Sequence, residues 1–153
     1  GFVLAMVCDI RFASETARFT TAFANRGLIA EHGISWILPR LVGSAHALDL
    51  LLSGRVVGSE EAAQIGIVNR TITSDRLLAE SANYVKGLAE RSAPVSMKVI
   101  KQQVYRHLST SLGEAARESI ELMAESLKRQ DFREGVSSYI EKRPPKFTRL
   151  SSE

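Results

Sequence analysis

The sequence contains one cysteine, Cys8, among 153 residues. An internal disulfide is therefore excluded, and the chain lacks the covalent staples on which small secreted domains depend. Such cysteine usage suits a reducing compartment, so the expected location is cytoplasmic. Four prolines and ten glycines are too few for a collagen-like or low-complexity chain. The longest apolar stretches, such as residues 2–8, fall well short of the ~20 residues that cross a bilayer, and no charged leader precedes them. Neither a membrane span nor an export signal is expected. No four cations occur in succession, and the net charge is only +3 despite a pI near 9.2. A dedicated nucleic-acid binder, which needs a basic stripe, is disfavoured. Zinc-ligand spacing, a nucleotide-triphosphate loop and a dinucleotide-binding glycine pattern are missing, so neither a metal nor a bound cofactor is expected.

What is present is enough for a packed domain: 44% of residues are hydrophobic and 24% charged, which argues against disorder. Residues 1–8 are apolar throughout and predict a buried helix. Alternation in Ile10-Arg11-Phe12-Ala13 and Ala17-Arg18-Phe19-Thr20 predicts two short strands around a turn at residues 14–16. Ile34, Ile37, Leu38 and Leu41 follow helical spacing after Gly33, with Pro39 a candidate kink and a break expected near Val42-Gly43. Ser44 to Gly54 reads as a second helix closed by a left-handed glycine. A strand at residues 55–57, a short helix at 59–63 and a strand at 67–72 follow.

Beyond Ser74 the pattern is helical. Leu78, Ala82, Val85 and Ala89 form one apolar stripe, and Met97, Ile100, Val104 and Leu108 a second. Ala116, Ile120, Met123 and Leu127 make a third, and Phe132, Val136 and Ile140 a fourth. Each is one-sided and requires a covering surface, from a missing half of the protein or from a neighbouring subunit.

Taken in order, Gly1 to Ile10, Ala17-Arg18-Phe19, Gly27-Leu28-Ile29, Leu38 to Gly43 and Ala47 to Arg55 closely resemble the enoyl-CoA hydratase/isomerase (crotonase) family. The likeness continues through Glu61-Ala62-Ala63, Gly66 to Asn69 and Glu141-Lys142-Arg143-Pro144-Pro145-Lys146-Phe147. This resemblance implies an α/β fold in which a spiral of ββα units, here its C-terminal part only, is followed by a helical region. The implied division is 1–92 for the spiral core and 93–153 for the helical region. The chain would be a C-terminal fragment, with an acyl-CoA substrate and homotrimers or hexamers as the full-length assembly. Coenzyme A would enter as part of the substrate.

Enzymes of this family polarise an acyl-CoA thioester with two backbone N–H groups that hold the developing oxyanion. The resemblance puts one donor at or just before Gly1, at the start of a helix where free N–H groups and the dipole favour negative charge. The second donor would lie upstream, so the chain alone is expected not to turn over enoyl-CoA. Hydratases of the family use two glutamates about a water molecule, because hydration requires both a base and an acid. Those positions fall on Val3 and Phe23, neither of which carries a proton; both read as core or pocket-lining residues that contact substrate.

The segment Phe23 to Gly33 is similar instead to the Δ3-Δ2-enoyl-CoA isomerase branch, in which the glutamate at the Glu31 position is the base. One carboxylate suffices for that 1,3-proton shift. Burial beside Phe23 and Trp36 would raise its pKa. The competing reading of Glu31 is structural: a carboxylate favouring the N-terminus of the helix after Gly33. His32 is given no catalytic role. Trp36 reads either as a wall of the acyl pocket or as core, and Cys8 as an inert buried thiol. Lys142, Arg143 and Lys146 beside Phe147 would approach the phosphates and adenine of coenzyme A, against the alternative of a solvated tail. The leading function is an enoyl-CoA isomerase. An enoyl-CoA hydratase of the fatty acid β-oxidation type and a catalytically silent crotonase-fold subunit are the alternatives.

Overall fold

A computed structural model of the chain describes residues 1–150. It divides into two compact units between Ala82 and Asn83, inside a helix.

The first unit opens with α1 (Phe2–Met6), followed by β1 (Phe12–Ser14) and β2 (Arg18–Phe19). A 3-10 turn (Ala24–Arg26) leads to α2 (Ile34–Ser53), then β3 (Val57–Gly58), α3 (Ser59–Gln64) and β4 (Arg70–Ile72). β1 and β2 are not partners of each other. β1 pairs in parallel with β4, Ala13 opposite Thr71, while β2 pairs antiparallel with β3, Phe19 opposite Val57. Arg11 reinforces the first pairing: its amide donates to Asn69 Oδ1 at 2.7 Å, and its Nε donates to the Ile67 carbonyl at 2.5 Å.

α1 is shorter and less enclosed than residues 1–8 predicted. Met6 is buried and Phe2, Val3 and Ala5 pack on the core, whereas Leu4 is 73% exposed and Val7 56%. Cys8 is likewise exposed, its thiol directed at the Leu4 carbonyl, which corrects the buried placement. A five-residue helix buries one face only, so an apolar sequence on all sides leaves the other face uncovered.

α2 runs through Pro39 and breaks at Gly43, whose φ of 78° and ψ of 161° are not helical. Ile34 and Leu38 before the break, together with Val57 and Ile67, are the fully buried large side chains. Gly66 adopts φ +89°, and a Cβ there would lie 3.2 Å from the Leu41 carbonyl oxygen. Gly66→Ala therefore combines left-handed strain with a tight contact to backbone, and should destabilise the unit by about 1–2 kcal/mol in urea unfolding.

The second unit is helical, containing most of α4 (Leu77–Arg91) and all of α5 (Pro94–His107), α6 (Leu112–Leu127) and α7 (Gln130–Ile140). Pro94 sits at the first turn of α5, where its missing N–H costs nothing. α6 starts in a capping box, with Ser111 and Glu114 satisfying each other's backbone N–H groups. His107 meets Glu118 at 3.1 Å, tying α5 to α6. Along α4, which begins in the first unit, and α5 to α7, the four apolar stripes are present but uncovered: Leu78, Val85, Ile100, Ile120 and Ile140 are each 58–83% exposed. Among the described residues no large apolar side chain of the second unit is buried; Ala93 is the buried hydrophobic residue.

Candidate active site

Glu31 lies in the connection between the 3-10 turn and α2. That connection is bounded by left-handed backbone at Gly27 (φ 71°) and at His32 and Gly33 (φ 54° and 75°). Glycine adopts this conformation freely, whereas a histidine there requires its surroundings to hold it. The N-cap of α2 is Gly33, with no side-chain cap bond. The carboxylate of Glu31 makes no cap hydrogen bond, although it lies within a turn of the start of α2, where the helix dipole favours a negative charge. Its neighbour is His32, with Nε2 3.8 Å from Oε2.

The enclosure expected around Glu31 is not formed by this chain's residues: its side chain is 39% exposed. Trp36 is 52% exposed, so it is not a core residue. The Arg40 guanidinium instead stacks on its ring at 3.8 Å, a cation–π pair at i, i+4 spacing. Phe23 and Val3 both pack against the core of the first unit, as apolar residues at those positions should. Gly1 precedes α1 and accepts the first helical bond, from the Ala5 amide at 3.0 Å. The next N–H groups have no intrahelical acceptor, as at any helix start.

Lys142 and Phe147 belong to the second unit. Phe147 borders two cavities of that unit: a mostly apolar one of 630 Å³ that includes Met97, Phe132 and Tyr139, and a basic one of 820 Å³ that includes Arg91, Lys146 and Arg149. Arg143, grouped with the phosphate-seeking cations in the sequence, is already engaged. Its guanidinium binds Glu134 through two nitrogens at 2.6 and 2.9 Å, and Nε binds Glu141 at 2.6 Å. The Lys146 amide adds a third bond to Glu134 at 2.6 Å, and the Thr148 amide binds Asp131 at 3.0 Å. Residues 143–148 are thus strapped along α7. Nine positions and a helix end separate Glu134 from Arg143, so no helical spacing in the sequence could pair them.

Arg143 and the Lys146 amide hold the Glu134 carboxyl down at about 2, against the usual 4.5. Because the folded value is the lower one, the clasp contributes its full stabilisation above pH 4.5 and loses it as pH falls toward 2. The amide shift of Lys146 should therefore stay flat from neutral pH to about pH 4 and titrate near 2 in an NMR pH series. Among the described residues no group of His, Cys, Asp and Glu could hold a metal ion, and no helix is long and apolar enough to cross a membrane.

Residues 1–150 match the family model described as enoyl-CoA hydratase/isomerase. The chain belongs to this family. A Rhizobium meliloti protein named "Probable enoyl-CoA hydratase" is 37% identical over 147 residues, covering 96% of this chain and 57% of that protein. Two solved structures carry the same fold. An enoyl-CoA hydratase from Mycobacterium smegmatis is 31% identical with a TM-score of 0.85, over 96% of this chain and 56% of the other. A probable enoyl-CoA hydratase/isomerase from Mycobacterium abscessus is 28% identical with a TM-score of 0.91, over 96% and 60%. The chain thus spans a little more than half the length of these family members, and the fold is the corresponding part of the crotonase type.

Proposed function

We propose that the protein acts on acyl-CoA thioesters and moves the double bond of a 3-enoyl-CoA, with Glu31 as the single base. The observation that carries this reading is Glu31 itself: an accessible carboxylate that caps no helix, in a segment where Val3 and Phe23 supply no second proton carrier. A backbone N–H at or just before Gly1, at the start of α1, supplies one of the two donors that polarise the thioester carbonyl and stabilise the enolate. Glu31 takes a proton from C2; the electron pair then shifts so that the C3–C4 double bond becomes C2–C3, and the carboxyl returns a proton to C4. Trp36 and Phe23 contact the acyl chain, and Lys142 and Phe147 the nucleotide end of coenzyme A. The exposed helical stripes support assembly into trimers or hexamers, and the single cysteine supports a cytoplasmic location.

A second reading, hydration of a 2-enoyl-CoA as in fatty acid β-oxidation, is favoured by the names of the relatives, which say hydratase. Comparing the two rates in full-length protein separates them. Isomerisation should exceed hydration. Dominant hydration would overturn the single-base reading, and the absence of both reactions would favour a catalytically silent subunit.

A further inference from the structure

α7 ends in a Schellman motif: the Arg143 amide donates to the Ser138 carbonyl at 3.0 Å and the Lys142 amide to the Tyr139 carbonyl at 3.3 Å. The residue at the left-handed position of that motif is ordinarily glycine. Here it is Lys142, at φ 53°. A lysine pays in backbone strain for a place that glycine would take freely, and its side chain is exposed, with no carboxylate partner among the described residues. Such strain persists where neighbouring contacts over-determine the backbone and where the side chain has a use.

The over-determining contacts converge on one residue. Glu134 binds Arg143, the residue directly after the strained lysine, through both guanidinium nitrogens, and also binds the Lys146 amide. Bidentate pairing fixes direction as well as distance. Lys142 is therefore held between the last turn of α7 and a strap fixed to Glu134 by three hydrogen bonds. Phe147, on the same strap, rests against Gly135, where an added Cβ would sit 3.8 Å from the ring.

We propose that Glu134 is a positioning residue: by clasping Arg143 and the Lys146 amide it aims Lys142 at the nucleotide phosphates of acyl-CoA. This rests on the reading of Lys142 as a coenzyme A contact, and the test keeps the two apart. Steady-state kinetics in full-length protein would compare an enoyl-CoA with the same enoyl group on N-acetylcysteamine, which has no nucleotide. Glu134→Gln should raise KM for the CoA thioester about tenfold, leave kcat unchanged, and leave kcat/KM for the truncated thioester unchanged. Lys142→Gly should show the same kinetic pattern while raising the thermal midpoint, because glycine relieves the strain. An unchanged KM in Lys142→Gly would overturn the coenzyme A contact. A raised KM in Lys142→Gly with an unchanged KM in Glu134→Gln would overturn the positioning role alone. Equal losses on both substrates in Glu134→Gln would also overturn it, since a purely structural residue does not distinguish thioesters by their nucleotide. Arg143→Lys, which keeps the charge but loses the bidentate fork, should fall between wild type and Glu134→Gln in KM.

Discussion

Replacing Glu31 with Gln should slow double-bond migration in a 3-enoyl-CoA by ~10²–10⁴-fold, the usual worth of a positioned general base. An amide has the same shape as the carboxyl group but cannot accept the C2 proton. The fold should not notice the change, because Glu31 makes no cap bond to α2 and its side chain is 39% exposed beside His32. Thioester binding should also persist, since the oxyanion donors are backbone groups. The expected signature is therefore a parallel fall in kcat and kcat/KM with KM and the thermal midpoint unchanged. A fall in stability of similar rank to the fall in rate would make Glu31 structural after all.

Leu38→Ala should lower the unfolding free energy of the first unit by ~2–5 kcal/mol, a large part of the ~5–15 kcal/mol that holds a typical domain together. Leu38 is fully buried in a core shared with Ile34, Val57 and Ile67. These side chains come from α2, β3 and the approach to β4, so the vacated volume borders three separate segments that cannot all close on it. Leu78→Ala, at a site 83% exposed, should change stability by less than about 0.5 kcal/mol. Urea midpoints of the two variants measure the contrast directly.

The helices were well legible in the sequence. The break at Gly43, the left-handed closure at Gly54 and the four stripes after Ser74 all follow from local signals, and the structure has them. The strands were legible only approximately. β1 and β2 are three and two residues long and pair with β4 and β3, partners dozens of residues away that alternation cannot identify. The residues of the candidate site were legible as residue types, through their order along the chain, but not as an environment. Burial of Glu31 depends on what surrounds it in three dimensions, and periodicity near Phe23 and Trp36 gave no measure of that. Similarly, Arg143 reads in sequence as one more cation beside Lys142 and Lys146. Its bond to Glu134 takes it out of that group, because the turn at Lys142 reverses the chain and returns it to α7.

The central claim is that one carboxyl group performs both proton transfers. A single-turnover reaction with 3-enoyl-CoA deuterated at C2 tests it most directly, with the label in the 2-enoyl product located by NMR. Transfer by Glu31 on one face of the substrate predicts that part of the deuterium removed from C2 appears at C4. A product whose C4 carries hydrogen from solvent only would contradict the single-base account and place a second group, or water, in the return step.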